Sequence, residues 1–515
     1  MADYDLAIIG GGLNGVSLAR DAAGRGLRVI LIEQGDLGGA ASSATSRLVH
    51  GDLAALERRS LLRVRRALTE RDVWLTTAPH LVRPVRFAIP AHANERPQWQ
   101  LRAGLWLYDH LAKRSRLPTA ATLDVTHHPI GDALKRPFGT AFEYSDCVVD
   151  DSRLVVLTAL DAAERGADIR TGARCIRADC DRIWRLAIID RGHRRIVTSH
   201  ALANATGAWS VSTAETVLRQ PPPRVAARQV SQIVVPRLFD TDAVYVFQNP
   251  DGRLIFAQPY EREFTLIGTV AHPFSGDPAV VAMPAADVSY LCKAANRYFR
   301  SDIQPVDVVR TISGANMMLL KGDDGRQMET VVSLDTARGR APLLTLCGGD
   351  VTTARRRAEQ AVSRLARVCP MSPCWTAAAP LPGGDFAWER FEDLVDDARD
   401  RWRFLGEAEA RRLVGAYGTR VAEILGDARS RADLGQAFGA QLTEAEVRYL
   451  MSREWARFAD DVLWRRSKLG LSLGATERDA LAAFMAAAGA RSAPRVPDGD
   501  GDSPARAVEL QSIGG

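Results

Sequence analysis

A chain of 515 residues is too long for one hydrophobic core and predicts two or three domains. Hydrophobic residues make up 46% of the chain and charged residues 25%, proportions that exclude an intrinsically disordered protein. The formal net charge of +5 is too small over this length to indicate a nucleic-acid-binding protein.

Cysteine spacing and hydropathy further narrow the class of protein and its compartment. The seven cysteines form no CxxC pair, so we expect no metal site and a reducing, cytoplasmic compartment. The chain begins without a recognisable signal peptide, and no run of about 18 apolar residues predicts a membrane-spanning helix. Any membrane contact is therefore expected to be peripheral.

The first elements of the chain follow the order strand, turn, helix, strand. A buried strand is predicted over residues 6–9, a helix over residues 14–24 and a second strand over residues 29–32. This order is typical of a dinucleotide-binding unit.

The turn after the first strand carries the GxGxxG pattern at Gly10, Gly12 and Gly15. Gly10 permits the tight turn, Gly12 lets a pyrophosphate approach the backbone, and Gly15 lets helix and strand pack closely. Glu33 closes the second strand, where a carboxylate accepts hydrogen bonds from an adenosine ribose. The alternative is a glycine-rich turn with an incidental surface glutamate.

A loop of small hydroxyl residues then favours FAD over NAD. Ser42, Ser43 and Ser46 lie in this loop, residues 41–51, which we call the cofactor loop because it can follow an extended cofactor. Without other support, the same residues are equally typical of a capped loop exposed to solvent and of a cofactor-binding loop. Support comes from a later strand that ends in Ala205-Thr206-Gly207, a second flavin fingerprint.

The rest of the chain divides by hydrophobic pattern. Residues 52–118 are predicted to be mostly helical, and residues 140–220 to mix short strands with helices. Residues 225–335 are predicted to be β-rich, with short strands at 233–235, 245–247, 254–256 and 265–267. A Gly-Gly turn at 348–349 precedes a helix, and residues 386–490 form a run of amphipathic helices.

Several segments together resemble the aerobic, FAD-dependent glycerol-3-phosphate dehydrogenases. The resemblance runs in order from about residue 3 to residue 475. The segments that carry it are 10–26, 42–51, 78–81, 108–114, 142–151, 204–207, 416–418, 454–455 and 459–466.

The resemblance implies an α/β fold with a Rossmann-type FAD-binding domain, a β-sheet substrate domain and a C-terminal α-helical domain. The expected bounds are 1–90, 140–225 and 336–375 for the FAD-binding domain, 91–139 and 226–335 for the substrate domain, 385–490 for the helical domain and 491–515 for a disordered tail. It also adds residues to the expected FAD contacts, namely Asn14, Leu48, Gly349 and Thr352.

Family members oxidise sn-glycerol 3-phosphate to dihydroxyacetone phosphate, passing hydride from C2 to the flavin and electrons to quinone at a membrane surface. The resemblance thus implies a small-molecule substrate, a quinone acceptor and peripheral association with the inner face of the cell membrane. The sequence does not determine whether the chain forms an oligomer.

Positions that contact the substrate in the family differ here. Ala54 and Ala55 stand where an Arg and a Tyr are expected, and Gln232 replaces the His that is proposed as proton acceptor. Val270 replaces a Thr. An amide does not titrate in the useful range, so Gln232 cannot act as a general base. No catalytic residue is assigned.

The expected phosphate-binding charges are also changed. Asn316 and Thr330 replace two Arg residues, and Asp350 replaces a Lys. Phosphate dianions are held by bidentate Arg and by Lys charge, so these changes predict a neutral or negative pocket. The alternative is a phosphate site rebuilt from Lys321, Arg326 or Arg355, which lie near the altered segments in sequence, and it would need a new geometry. Three functions stay open: the family reaction, oxidation of an uncharged or cationic substrate, and a non-catalytic flavoprotein.

A stretch of aromatic and basic residues has the composition of a membrane-surface helix. It contains Trp99, Arg102 and Trp106, followed by the basic residues Lys113, Arg114 and Arg116. The alternative is an ordinary amphipathic helix with a solvated basic face.

Overall fold

A computed structural model describes residues 2–57, 60–91, 97–111, 116–135, 138–321, 326–328, 330–336 and 339–492. Side chains of a few residues at the ends of these ranges and of Ala54 lie outside the described part. Among the described residues, no helix is long and apolar enough to cross a membrane.

The strands of the described residues are, in chain order, β1 (Tyr4–Ile9), β2 (Val29–Glu33), β3 (Leu48–Val49), β4 (Val82–Ala91), β5 (Ala121–Asp124), β6 (Thr140–Val149), β7 (Asp168–Thr171), β8 (Ala173–Cys180), β9 (Trp184–Asp190), β10 (His193–Asn204), β11 (Val225–Pro236), β12 (Val244–Gln248), β13 (Leu254–Tyr260), β14 (Phe264–Phe274), β15 (Arg310–Lys321), β16 (Arg326–Met328), β17 (Thr330–Asp335) and β18 (Leu343–Gly348).

The α-helices of the same residues are α1 (Leu13–Gly24), α2 (Ala54–Glu57), α3 (Leu61–Thr77), α4 (Gln98–Leu111), α5 (Asp151–Glu164), α6 (Ser210–Ser212), α7 (Ala285–Asn296), α8 (Ala354–Arg364), α9 (Phe391–Arg401), α10 (Glu407–Tyr417), α11 (Val421–Leu425), α12 (Glu444–Arg453) and α13 (Ala475–Ser492).

The first sheet is built on the predicted β1–α1–β2 unit. Its central order is β17-β18-β10-β1-β2-β7, and β9 joins β10 with β8 at its other edge. β1 pairs in parallel with both β2 and β10, and β10 pairs in parallel with β18. Leu6, Ile8 and Leu31 are fully buried, as expected for strands that are covered on both faces. The Rossmann-type prediction is confirmed.

The second sheet has the order β16-β15-β11-β14-β13-β12-β4-β6-β3, with β5 paired to β6. It contains the four short strands predicted between residues 225 and 335. The strands β3 and β6 and most of β4, which fall within the predicted FAD-binding domain, also belong to this sheet. The predicted FAD-binding domain and the predicted substrate domain therefore both contribute strands to it. The domain bounds themselves stay a prediction.

The prediction that residues 52–118 are mostly helical is wrong over β4, a strand of ten residues. Two prolines, Pro84 and Pro90, and two exposed or half-buried arginines interrupt the alternation that would have indicated a strand. The segment is extended because it pairs along its whole length with β6 and at Phe87 and Ala88 with β12, which are distant in sequence.

The predicted amphipathic helices of residues 386–490 are confirmed as α9 to α13. They enclose a hydrophobic core of their own, which includes Val395, Leu413, Val414, Leu450 and Leu481. The helix α13 continues to Ser492, so it includes the first two residues of the predicted tail. The remainder of that tail, residues 493–515, lies outside the described residues.

Candidate functional site

Three predicted cofactor motifs meet at one edge of the first sheet. The parallel strands β1, β10 and β18 end at Ile9, Asn204 and Gly348, and the register pairs Ile9 with Asn204. The turns that follow these strands carry Gly10, Ala205 and Gly349. Ligands of such sheets bind at the carboxyl ends of parallel strands.

The glycines of the first turn are required by close backbone contacts. A Cβ on Gly10, whose φ is +110°, would lie 2.5 Å from the Ala205 carbonyl oxygen, and one on Gly15 would lie 1.9 Å from the Gly10 carbonyl oxygen. The N-cap residue of α1 is Gly12, which has no capping side chain. Its absent side chain leaves room for a phosphate near the positive end of the helix dipole.

Glu33 bridges the turn after β1 and the turn after β2. Its carboxylate accepts hydrogen bonds from the Gly11 N–H at 2.6 Å and from the Gly35 N–H at 2.7 Å. Burial raises the pKa of Glu33, and the two hydrogen bonds oppose that rise. The side chain therefore stands at the end of β2, where a ribose hydroxyl can approach.

The cofactor loop is held on both sides. Ser42 accepts a hydrogen bond from the Leu13 N–H at 3.0 Å, which ties the loop to the start of α1. From the second sheet, Gln232 donates to the Thr45 carbonyl at 2.7 Å and Gln258 donates to the Ser46 carbonyl at 2.8 Å. The loop therefore lies between the two sheets, where the predicted flavin contacts require it.

Two other loop residues are engaged within the protein. The Ser43 hydroxyl donates to the Ala40 carbonyl at 3.1 Å. Leu48 is buried in a hydrophobic cluster with Phe142 and Tyr144. Their contact with the cofactor stays a prediction.

Asn14, Gly349 and Thr352 lie around the turn after β18. Asn14 donates to the Gly348 carbonyl at 3.1 Å and accepts two hydrogen bonds from Arg357 at 3.0 and 3.1 Å. The Thr352 hydroxyl accepts a hydrogen bond from the His50 N–H at 3.2 Å. These contacts join α1, the turn after β18 and the end of the cofactor loop, so the predicted FAD contacts converge from three parts of the chain.

The face of the second sheet that covers the cofactor loop carries two of the altered positions. Arg228 pairs with Asn316 and Val230 with Gly314 across β11 and β15, so Arg228, Asn316 and Gln232 share a face. A Cβ on Gly314 would lie 3.0 Å from Ala41, which identifies the face that is turned to the cofactor loop.

Val270 does not join that face. A bulge between Ser231 and Gln232 pairs Val270 with Ser231, so its side chain points to the opposite side. There it is buried in the hydrophobic cluster that contains Ile267 and Leu291. The sequence could not place Val270 correctly, because the bulge changes the alternation of side chains at this position.

The other altered positions are dispersed. Ala55 is buried in the cluster of Leu68 and Tyr108. Thr330 begins β17, opposite Gly348 of β18, which places it in the first sheet. The side chains of Ala54 and Thr330 lie outside the described residues.

Asp350 lies in the turn that precedes α8, beside the cofactor motifs. Its Oδ1 accepts hydrogen bonds from the Thr353 N–H at 2.7 Å and from the Thr353 hydroxyl at 2.8 Å. Desolvation by the surrounding protein raises the pKa of Asp350, but Arg357 and these hydrogen bonds outweigh it, and the net pKa lies below the usual value. Asp350 is exposed, and its lowered pKa keeps the carboxylate ionised at neutral pH.

His50 also lies near Asp350. Its Nδ1 accepts a hydrogen bond from the Asp52 N–H at 3.1 Å. In the neutral ring the proton therefore sits on Nε2, so His50 can donate a hydrogen bond to a ligand.

The basic residues that lie near the altered segments in sequence are paired within the protein or lie outside the described residues. Arg355 is buried and makes a bidentate pair with Glu70, with both distances 2.8 Å. The side chains of Lys321 and Arg326 lie outside the described residues.

Arg228 is a basic residue of the site that the sequence alone did not indicate, because only the register of β11 and β15 shows that it is the neighbour of Asn316. Within the described part of the chain, no carboxylate pairs with Arg228, whose guanidinium contacts the Met318 sulfur at 3.9 Å.

Comparison with known proteins gives two family matches. The family described as FAD dependent oxidoreductase matches residues 5–355. The C-terminal domain of alpha-glycerophosphate oxidase matches residues 374–492.

The chain is also similar to individual proteins over most of its length. It is 41% identical to a glycerol-3-phosphate dehydrogenase of Pseudomonas aeruginosa, with 94% of this chain and 95% of the relative covered. It is 40% identical to a D-erythritol 1-phosphate dehydrogenase of Brucella abortus, with 92% and 96% covered. The glycerol-3-phosphate dehydrogenase of Bacillus halodurans, solved with FAD, has the same fold, with a TM-score of 0.71, 22% identity and 94% of each chain covered.

Proposed function

The chain belongs to the FAD-dependent glycerol-3-phosphate dehydrogenase family, and on this premise we propose that it oxidises a polyol phosphate other than glycerol 3-phosphate. Its cofactor is FAD and its class is oxidoreductase. FAD supplies the hydride acceptor, while the protein must orient the substrate, hold its anion and accept its hydroxyl proton.

The observation that carries the proposal is the loss of two positive charges beside the predicted FAD contacts, where Asn316 replaces an Arg and Asp350 replaces a Lys. Asn316 is neutral, and Asp350 is held ionised by Arg357 and Thr353. A phosphate group placed beside Asp350 would be opposed by roughly 1–4 kcal/mol at about 4 Å. Glycerol 3-phosphate bound in the family's manner is therefore a poor substrate.

Arg228 offers a different place for an anion. It is half-buried, has no carboxylate partner among the described residues, and lies across the strand pair from Asn316. Directly opposed residues of antiparallel strands are about 5 Å apart, so an anion held by Arg228 is displaced by about that distance from one held at position 316. A longer polyol phosphate suits this displacement, and the Brucella relative is named for such a compound.

Asp350 is our candidate for the proton acceptor. Gln232 cannot accept a proton, and its amide is already committed to the Thr45 carbonyl. Both hydrogen bonds from Thr353 reach Oδ1 of Asp350, which leaves Oδ2 for a substrate hydroxyl. Because its pKa lies below the usual value, Asp350 is ionised at neutral pH, which is the form that a proton acceptor requires.

The test is anaerobic reduction of the bound flavin by a panel of three- to five-carbon polyol phosphates and by the corresponding polyols. We expect a four- or five-carbon phosphate to bleach the flavin faster than glycerol 3-phosphate. Arg228→Met should raise the KM of that substrate about tenfold or more, with Arg228→Lys between it and the wild type. Equal rates for the unphosphorylated polyols would contradict the role of Arg228.

A non-catalytic flavoprotein is the second candidate function. It is favoured by the position of Gln232, because the residue that stands at the family's proton-acceptor position now holds the cofactor loop. Failure of every compound in the panel to bleach the flavin would support it.

We further propose that electrons pass to quinone at a membrane surface that α4 contacts. Trp99 and Trp106 on this helix are 68% and 60% exposed, and Leu62 at the start of α3 is 67% exposed. Exposed tryptophans of this kind suit the interface between lipid headgroups and acyl chains. Lys113 and Arg114 lie outside the described residues, and Arg116 pairs with Glu389 at 3.4 Å.

A further inference from the structure

A short segment of the C-terminal helical region contacts both protein segments that border the FAD site. The segment is residues 461–468, and it includes the helical turn Asp461–Arg466. We call it the clasp segment. Its side chains reach the turn after β2 and the acidic pair that holds the cofactor loop.

The first contact is made by Lys468. Its ammonium forms an ion pair with Asp150 and lies 3.9 Å from Asp151, while only 6% of the Lys468 side chain is exposed. Burying a lysine costs free energy unless an ionised partner compensates it. Burial raises the pKa of Asp150, but Lys468 and then Arg47 outweigh this and hold it well below the usual value.

The same acidic pair binds the cofactor loop. Asp151 accepts hydrogen bonds from the Thr45 N–H at 3.2 Å and from the Thr45 hydroxyl at 2.8 Å. Arg47 lies 3.7 Å from Asp150. Lys468 thus neutralises the carboxylates that fix the loop opposite Gln232.

The second contact reaches the turn after β2. Arg466 forms a bidentate pair with Asp36, with distances of 2.5 and 2.7 Å, and Arg465 pairs with the same carboxylate. Asp36 lies three residues after Glu33, and the Gly38 N–H donates to the Gly11 carbonyl at 3.0 Å. The clasp segment therefore fixes the turn beside Glu33, the carboxylate that is predicted to bind the ribose.

We infer that the clasp segment is a positioning element for FAD: Lys468 and Arg466 hold the cofactor loop and the turn after β2 in the conformation that binds the cofactor. The C-terminal helical region then contributes to FAD affinity although it contains none of the predicted FAD contacts. This inference is independent of which substrate the enzyme oxidises.

The test measures the dissociation constant of FAD for the full-length apoprotein by flavin fluorescence. Lys468→Met should weaken FAD binding by about tenfold or more, because it removes the buried cation that lies against Asp150 and Asp151. Lys468→Arg should restore most of the affinity. The matched control is Arg420→Met, which breaks a pair with Glu164 at the same domain interface without touching either cofactor segment.

A double-mutant cycle separates positioning from general destabilisation. Thr45→Val removes the hydroxyl that Asp151 binds, and it can be combined with Lys468→Met. If Lys468 acts through the loop, the two losses of FAD affinity are less than additive. Wild-type affinity in Lys468→Met, an equal loss in Arg420→Met, or additive losses in the cycle would overturn the inference. If Lys468→Met does not fold, wild-type affinity in Asp36→Asn would overturn it.

Discussion

The side-chain amide of Gln232 donates a hydrogen bond to the Thr45 carbonyl over 2.7 Å, and this bond links the second sheet to the cofactor loop. Gln232 is 1% exposed, and a Cβ on Gly268 would lie 2.4 Å from its Cγ, so the glycine makes room for it. A residue type that cannot accept a proton thus has a structural role at this position.

We expect Gln232→Met to lower the free energy of unfolding by about 1–3 kcal/mol, because a carbonyl between the sheets loses its donor. It should also weaken FAD binding. Gln229→Met is the matched control, since Gln229 is a buried glutamine of the same strand whose amide donates to Ala282 on the opposite face. Urea unfolding and FAD titration of both variants check the prediction, which is wrong if the two variants bind FAD equally well.

Replacing Gly12 by Val should abolish FAD binding and leave a colourless protein. The Cβ alone would lie 3.0 Å from the Ser42 hydroxyl, and the branched side chain would fill the space in front of the α1 N-terminus. Gly104→Ala is the control, because a Cβ on Gly104 meets no atom within 4 Å. The measurement is the flavin absorbance of protein that is purified with added FAD, and a yellow Gly12→Val protein would contradict the cofactor site.

The burial of His80 predicts that the free energy of unfolding falls at acid pH. It is 1% exposed, and neither ring nitrogen has a hydrogen-bond partner in the described part of the chain. Burial, followed by the charges of Arg153 and Arg420, lowers the pKa of His80 to about 3. The unfolded chain, with an ordinary histidine pKa of about 6.5, therefore binds the proton first.

The stability that neutral His80 contributes is fully present above pH 6.5 and is lost as the pH falls towards the folded pKa. Between pH 6.5 and pH 5 this loss is roughly 2 kcal/mol. His80→Phe should remove it, so its free energy of unfolding should fall less over this interval than that of the wild type. Urea unfolding at both pH values measures the difference, and parallel curves would show that His80 titrates normally.

Binding to a membrane surface should depend on the two tryptophans of α4. The wild type should float with anionic vesicles, and replacing Trp99 and Trp106 together by Ser should prevent flotation. Phe458→Ser serves as the control, because Phe458 is 65% exposed on the C-terminal helical region. Wild-type protein that stays with the aqueous fraction at both low and high salt would identify α4 as a solvated helix.

The sequence was sufficient to predict FAD as the cofactor because its signals are local. Gly10, Gly12 and Gly15 constrain a turn of six residues, and a motif of that length is visible without any partner. The substrate half depends on pairing between distant strands. A bulge beside Gln232 turns Val270 away, and the β11–β15 register brings Arg228 beside Asn316. Neither relation can be read from residue spacing alone.

The measurement that tests the account most directly is anaerobic reduction of the bound flavin by millimolar glycerol 3-phosphate, followed at the flavin absorption band. With Asn316 and Asp350 in place of cations, each lost phosphate contact costs a few kcal/mol, and every 1.4 kcal/mol is about a factor of ten in rate. We predict negligible bleaching over a period in which dithionite reduces the flavin completely. Rapid and complete bleaching by glycerol 3-phosphate would contradict the account, and would mean that the chain holds this phosphate with other basic residues.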